Sequence, residues 1–243
     1  MRQVHIRQKL EEMGVAVDGI AMGDFDHIGE FTAKRDRKPD DVNYKKYGMY
    51  FRANYERGIL IYHLIRQFNL TSMLEIGFGR GYATFCAARA FHDAGVGGKI
   101  VTIDPNLDEA YIKALQHVLP NDWFTYITFM KGTSQSVMPK IADSRFDLVY
   151  IDGDHSYGGT RHDWEQTKDK FDKFLLFDDY HLPSKEDKGT IQCSQLIDEV
   201  DDPSKELIIM DRRLFFDDRR FTDDKIDYGQ VLLTKPGVGR DDW

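Results

Sequence analysis

The chain has 243 residues, enough to bury one α/β core, and its 41 acidic and 33 basic residues give a formal charge of -8. Because no run of lysine and arginine lies along a predicted helix, this acidic balance disfavours non-specific nucleic-acid binding. Two cysteines are too few for a disulfide scaffold, and no apolar run reaches membrane-spanning length. No secretory signal begins the sequence, so we expect a cytoplasmic protein that does not enter a membrane.

Helical and strand-like patterns alternate along most of the chain. Residues 51–69 have the apolar spacing of an amphipathic helix, and the first 40 residues have the mixed charge of a helix followed by a mobile loop. Strands separated by helices are predicted near residues 72–77, 99–104, 125–130, 146–152 and 173–178. This alternation predicts a parallel sheet.

Two further apolar runs follow the five predicted strands. A helix is expected near residues 189–200, and the runs 206–210 and 230–234 come after it, separated by a charged stretch. Each of these apolar runs has the length of a further strand. The sequence shows no internal repeat and no low-complexity linker, which predicts a single domain.

The first predicted strand leads directly into three alternate glycines, Gly77, Gly79 and Gly81. Glycines after a buried strand let the backbone turn tightly and approach a ligand, and the next helix directs its first N–H groups at that ligand. A dinucleotide site places its third glycine three positions after the second, where this chain has Tyr82. The spacing therefore predicts a cofactor site but disfavours NAD.

A carboxylate ends the second predicted strand, at Asp104. In a doubly wound sheet the end of this strand lies beside the end of the first, so Asp104 is placed to accept two hydrogen bonds from a ribose diol. A simpler interpretation is that Asp104 caps the strand end or the next helix.

Glu75, the three glycines and Asp104 resemble the cofactor motifs of class I S-adenosylmethionine (SAM)-dependent methyltransferases. The resemblance implies that Glu75 lies near the methionine part of SAM, that Asp104 holds the ribose and that Tyr82 borders the cofactor. It also implies a Rossmann-like α/β fold, with helices on both faces of a mostly parallel seven-stranded sheet and an antiparallel last strand. The chain would then divide into an N-terminal helical or cap segment (1–69), a SAM-binding domain (70–236) and a tail (237–243).

A short polar loop follows the third predicted strand. Its residues Thr133, Ser134 and Gln135 are similar to the loop that contacts adenine in catechol-type O-methyltransferases. They also have the composition of a Ser/Thr cap for a helix over residues 135–142. The two roles are compatible, because a capping hydroxyl or amide can also face a ligand.

Carboxylates follow the fourth and fifth predicted strands, where ligands bind in open α/β sheets. Asp152 and Asp154 come after the fourth strand, and Asp178 and Asp179 come after the fifth. Such carboxylates repel one another in a partly buried cleft, so some are protonated, or they are paired, or a cation lies among them. A divalent ion such as Mg²⁺ is the simplest of these solutions, because it prefers oxygen ligands.

The same segments resemble metal-dependent O-methyltransferases of the catechol, caffeoyl-CoA and antibiotic-sugar type. The resemblance implies that Asp152, which also borders the cofactor, and the pair Asp178 and Asp179 hold the ion. His155 falls where catechol-type enzymes have the lysine that takes the substrate's proton, and a histidine, with an ordinary pKa of about 6.5, suits that task. Without this resemblance, His155 and the pair would be read as surface loop residues.

The implied function is SAM-dependent and metal-dependent O-methylation of a small-molecule hydroxyl, such as that of a vicinal diol, a catechol or a sugar. One alternative is a metal-independent class I methyltransferase that acts on an amine or a carboxylate. Another is a non-catalytic SAM-binding or nucleotide-binding protein, because a fold does not guarantee chemistry. The sequence does not specify the acceptor or the oligomeric state.

Overall fold

The protein is described by a computed structural model over residues 1–20, 55–181, 192–210 and 228–238. These residues form one eight-stranded sheet with helices packed against it. In chain order the strands are β1 (Arg2–His5), β2 (Ser72–Ile76), β3 (Lys99–Asp104), β4 (Ile127–Lys131), β5 (Phe146–Ile151), β6 (Phe171–His181), β7 (Glu206–Ile209) and β8 (Tyr228–Thr234).

Eight α-helices lie in the described residues, accompanied by short 3₁₀ turns at Val17–Gly19 and Met138–Ile141. The α-helices are α1 (Ile6–Glu12), α2 (Tyr55–Gln67), α3 (Tyr82–Ala94), α4 (Glu109–Gln116), α5 (Asn121–Phe124), α6 (Ser134–Val137), α7 (Tyr157–Thr167) and α8 (Cys193–Glu199). In this part of the chain, no helix combines the length and the apolar character needed to cross a membrane.

The sheet has the order β1-β7-β8-β6-β5-β2-β3-β4. Strand β8 is antiparallel to both of its neighbours, β6 and β7, and every other pairing is parallel. The prediction of a mostly parallel sheet with an antiparallel last strand is therefore confirmed.

The predicted count of seven strands is wrong, because β1 adds an eighth at the edge of the sheet beside β7. Only Val4 of this strand is buried, so its sequence has no apolar run by which it could be recognised. Its position is supported by charge: Arg2 Nη1 lies 2.8 Å from Glu206 Oε1, and Lys9 of α1 pairs with the same carboxylate.

The core consists of two apolar layers, one on each face of the sheet. Neighbouring residues of one strand enter opposite layers, as Met73 and Leu74 do in β2 and Leu148 and Val149 do in β5. Central strands of this kind are buried on both faces, which is why they read as continuous apolar runs in the sequence. The predicted helices on both faces of the sheet are confirmed.

The strand order reverses between β2 and β5, since β3 and β4 lie on one side of this pair and β6 lies on the other. Ligands of open α/β sheets bind in the crevice outside the carboxyl ends of the strands at such a switch point. The glycines after β2 and Asp152 after β5 therefore meet at this crevice.

Candidate functional site

The loop after β2 is held in a conformation that suits glycine. Gly77, Gly79 and Gly81 have φ values of 99°, 51° and 83°, in a region that other residues rarely adopt. At Gly77 the chain also passes close to the end of β5, because a Cβ built there would lie 1.9 Å from the backbone oxygen of Asp152. The loop ends where α3 begins, so the first N–H groups of that helix point toward the crevice.

Asp104, at the end of β3, binds the glycine loop directly. Its Oδ2 accepts a hydrogen bond of 2.9 Å from the backbone N–H of Gly79, and its Oδ1 accepts one of 2.7 Å from Asn106. A carboxylate has about four acceptor positions, so two such bonds leave capacity for a ligand. The carboxylate is thus fixed in place beside the loop.

Glu75 lies beneath the loop and is 1 % exposed. Its Oε2 accepts hydrogen bonds from the hydroxyls of Thr84 in α3 and Thr102 in β3. Burial raises its pKa to about 7, although the two threonine hydrogen bonds oppose this change. Glu75 therefore ties β2 to β3 and α3, and holds its proton at a higher pH than an exposed glutamate does.

We expect Glu75→Gln to change the pH dependence of stability. From about pH 4.5 to 7 the folded protein retains a proton on Glu75 that the unfolded chain releases, so wild-type stability falls as the pH rises through this range. The variant lacks this titration and should gain up to about 3 kcal/mol over wild type from pH ~5 to ~8. Urea unfolding across this range measures the gain.

Glu109→Gln in α4 provides the control, because it makes the same substitution at an exposed position instead of a buried one. Parallel profiles for wild type and Glu75→Gln would contradict the assignment of a raised pKa to Glu75.

The polar loop after β4 does act as a helix cap. The Thr133 hydroxyl accepts a hydrogen bond of 3.3 Å from the N–H of Ser136 at the start of α6. The buried Ser134 hydroxyl donates a hydrogen bond of 2.5 Å to Asp163 Oδ1 of α7, whereas Gln135 is exposed. The predicted helix over residues 135–142 is a short α-helix followed by a 3₁₀ turn.

These segments surround a cavity of about 670 Å³. Ligand pockets commonly have volumes of about 300 to 1,000 Å³, so the space suits a cofactor. Predicted site residues that line it are Glu75, Gly77, Gly79, Tyr82, Asp104, Thr133, Ser134, Asp152, His155 and Asp179. Among the described residues, Gly81, Gln135 and Asp178 belong to the predicted set but not to this lining.

Asp178 and Asp179 lie within β6, which extends to His181 and so is longer than the predicted strand 173–178. The pairing of β6 with β8 shifts register between Phe177 and Tyr180, and Asp179 has a φ of 52°. Such a bulge re-aims side chains. The two neighbouring carboxylates consequently have different surroundings.

Asp178 is 3 % exposed and lies in a network behind the cavity. Its Oδ2 accepts a hydrogen bond of 2.8 Å from the Tyr150 hydroxyl, and its Oδ1 accepts one of 3.0 Å from Gln230 Nε2 of β8. Sequence patterns did not indicate Tyr150 or Gln230, because each lies in an apolar strand and meets Asp178 only through the folding of the sheet.

His155 lies between two carboxylates. Its Nδ1 is 3.0 Å from Asp179 Oδ2, and its Nε2 is 3.3 Å from Asp152 Oδ1. The hydrogen bond to Asp152, opposed by burial and aided by the charge of Asp179, raises the pKa of His155 to about 9. The imidazolium form is thus favoured at neutral pH. Asp154 is exposed and accepts a hydrogen bond of 2.9 Å from Ser156 N, which closes the turn.

Three side chains could together bind a metal ion: Asp152, His155 and Asp179 each offer one ligand atom, and these atoms lie within 4.8 Å of one another. Carboxylate oxygens and an imidazole nitrogen at such spacing fit a divalent cation. This group shares Asp152 and Asp179 with the predicted set but has His155 in place of Asp178, which is engaged by Tyr150 and Gln230.

Arg57 of α2 contacts the carboxylates of Asp152, Asp178 and Asp179, which together are called the acidic cluster. The sequence did not predict this contact. Arg57 Nη1 is 2.9 Å from Asp152 Oδ2, its Nη2 contacts Asp178 Oδ2, and the same Nη2 is 3.8 Å from Asp179 Oδ1. Burial raises the pKa of Asp152, and the Arg57 charge opposes this rise. Of the three possibilities for the carboxylates, the structure therefore contains ion pairing.

Comparison with known proteins gives one family match over the middle of the chain. Residues 74–180, which run from β2 into β6, match the family model described as a methyltransferase domain. No curated protein sequence matches the chain.

Several solved structures share this fold over most of the chain. An O-methyltransferase from Bacillus cereus in complex with SAH is 14% identical, with a TM-score of 0.54, and the match covers 88% of this chain and 100% of that one. TomG, an O-methyltransferase from Streptomyces achromogenes involved in tomaymycin synthesis, in complex with SAM, is 15% identical, with a TM-score of 0.54 and coverages of 89% and 99%. The SAH-bound methyltransferase PaMTH1 from Podospora anserina is 16% identical, with a TM-score of 0.51 and coverages of 85% and 87%.

Proposed function

We infer that this chain is a class I methyltransferase, because residues 74–180 carry a methyltransferase domain and the sheet has the expected mixed topology. We propose that it transfers a methyl group from SAM to a hydroxyl oxygen of a small molecule. One observation carries this proposal: a single cavity joins the glycine loop and Asp104 to the cluster of Asp152, His155 and Asp179. A cofactor site and a cluster able to bind an acceptor therefore share one space.

The cofactor half of the cavity suits SAM on three grounds. Gly77 and Gly79 bring backbone close to the ligand, and Asp104 keeps acceptor capacity for a ribose diol after binding two backbone N–H groups. The lining has six acidic residues against Arg57, Arg80 and His155, a balance that favours a cationic sulfonium. Its acidic residues are Glu75, Asp104, Asp152, Asp154, Asp163 and Asp179.

We propose that Glu75 borders the methionine part of SAM and that Thr133 and Ser134 border the adenine. All three line the cavity, and the Asp163 carboxylate fixes the orientation of Ser134. SAM, when bound, supplies the methyl group and leaves as S-adenosylhomocysteine. The residues around it bind and orient the two reactants, which is the main contribution expected of a protein in such a transfer.

The acceptor half of the cavity suits a hydroxyl that must lose a proton. We propose that Asp152 and Asp179, with His155 or Asp178, hold a divalent ion, which supplies Lewis-acid chemistry when bound by lowering the pKa of the acceptor hydroxyl. Where Asp178 completes the ligands of the ion, His155 is the proposed base. It accepts a proton only as the neutral imidazole, so it must first lose the proton that its two carboxylate neighbours stabilise. A water molecule is the alternative proton acceptor.

A metal-independent class I methyltransferase is the second candidate, and the position of Arg57 favours it. The guanidinium already compensates Asp152 and Asp178 without any ion. In that case the acidic cluster would serve only to orient the acceptor, an amine or a carboxylate. Activity that survives EDTA would support this candidate.

Calorimetric titration with SAM and with S-adenosylhomocysteine, each in Mg²⁺ and in EDTA, tests the proposal first. We expect micromolar affinity for both molecules in either buffer, because the glycine loop and Asp104 are not members of the metal cluster of Asp152, His155 and Asp179. Absence of binding in all four titrations would contradict the methyltransferase proposal.

Turnover then separates the candidates. A panel of catechols, vicinal diols and sugars should show methyl transfer that EDTA abolishes and Mg²⁺ restores. Tight SAM binding without turnover on any hydroxyl or amine acceptor would instead favour a non-catalytic SAM-binding protein.

A further inference from the structure

Arg57 contacts the carboxylates that a divalent ion would need. The guanidinium reaches Asp152 from one nitrogen at 2.9 Å, and its other terminal nitrogen contacts Asp178 and lies 3.8 Å from Asp179. Its side chain is only 19 % exposed, so water screens these contacts weakly. Arg57 thus bridges acids from the end of β5 and the bulge of β6.

The shape of this contact differs from that of a structural ion pair. A strong arginine pair is commonly bidentate, with two parallel hydrogen bonds to one carboxylate. Among the described residues, Arg57 instead contacts three separate carboxylates, as a small cation centred among them would do. A divalent ion and a guanidinium cannot approach the same carboxylates closely without strong repulsion, because the site is partly buried.

We propose that Arg57 is an internal cation that competes with a divalent ion for Asp152, Asp178 and Asp179, so that the ion binds only as the guanidinium withdraws. This inference rests on the metal site of the proposed function. Asp178 retains hydrogen bonds from Tyr150 and Gln230 when Arg57 leaves, so the withdrawal does not strand this buried carboxylate without donors.

Arg57→Gln tests the competition through metal affinity alone, without turnover. Mn²⁺ is titrated into the purified full chain by calorimetry, and free Mn²⁺ is followed by electron paramagnetic resonance. We expect the variant to bind Mn²⁺ at least about tenfold more tightly than wild type, since a fixed positive charge has been removed from the site. Mn²⁺ should also raise the unfolding temperature of the variant more than that of wild type.

Arg66→Gln is the matched control, because Arg66 lies near the other end of the same helix, α2, and its loss changes the net charge equally. We expect its Mn²⁺ affinity to equal that of wild type. Equal or weaker Mn²⁺ binding by Arg57→Gln would overturn the proposal. So would tighter binding of equal size in both arginine variants, which would reflect net charge alone.

A second pair of variants covers the case in which Arg57→Gln does not fold, because an unpaired buried carboxylate is destabilising. The double variant Arg57→Gln, Asp178→Asn is compared with Asp178→Asn, and the double variant should bind Mn²⁺ more tightly. S-Adenosylhomocysteine is titrated into the same samples. If it binds while no variant binds Mn²⁺, the competition and the metal site are overturned and the methyltransferase proposal stands.

Discussion

Replacing Gly77 with alanine should destabilise the protein by about 4 kcal/mol or more and abolish measurable SAM binding. The new Cβ would lie 1.9 Å from the backbone oxygen of Asp152, so either β2 or β5 must move. A φ of 99° adds backbone strain for any residue with a side chain. Urea unfolding measures the loss of stability, and calorimetry with S-adenosylhomocysteine measures the loss of binding.

Gly79→Ala is the matched control for steric overlap. Gly79 also has a positive φ, 51°, but a Cβ there meets no atom within 4 Å. We therefore expect only the strain of a left-handed alanine, about 1 to 2 kcal/mol. If both variants lose the same stability, the close approach of Gly77 to β5 is not what requires glycine.

Asp104→Ala should weaken S-adenosylhomocysteine binding on the order of 100-fold or more. The variant removes the carboxylate proposed to accept two ribose hydroxyls, and each hydrogen bond to a charged group contributes about 1.5 to 3 kcal/mol. It also frees the N–H of Gly79, so the glycine loop loses a fixed partner. Both effects act in the same direction on affinity.

Asp108→Ala is the control that separates an effect on ligand binding from an effect on stability. Asp108 lies four residues along the chain, is exposed and caps α4 by accepting a 2.9 Å hydrogen bond from Ala110 N. Its loss should reduce stability by about 1 kcal/mol, as caps commonly do, without changing ligand affinity. An Asp104→Ala variant that binds S-adenosylhomocysteine as wild type does would remove Asp104 from the cofactor site.

The central strands and the glycine loop were predictable because their causes are local. Strands β2, β3 and β5 are buried on both faces, so each reads as an apolar run. The spacing of Gly77 and Gly79 predicted a tight backbone turn, and both residues have positive φ values in the structure. The position of Asp104 beside the glycine loop followed from the topology of a doubly wound sheet.

Other features could not be predicted, because they depend on contacts between segments that are distant in the sequence. Strand β1 buries only Val4 and is recognised by its pairing with β7. The bulge in β6 sends Asp178 toward Tyr150 and Gln230 and leaves Asp179 beside His155. No pattern within one strand indicates such a division of neighbouring acids.

Arg57 is the clearest example of a site residue that the sequence could not identify. It lies 95 positions from Asp152, in a helix whose apolar spacing predicts only packing. The sequence by itself determined the alternation of the central strands and helices, the glycine loop and the presence of acids at two adjacent strand ends, since each depends on local spacing. Only the tertiary structure decided how those acids are compensated, because burial leaves their charges in need of a partner and the fold brings a guanidinium and an imidazole to them.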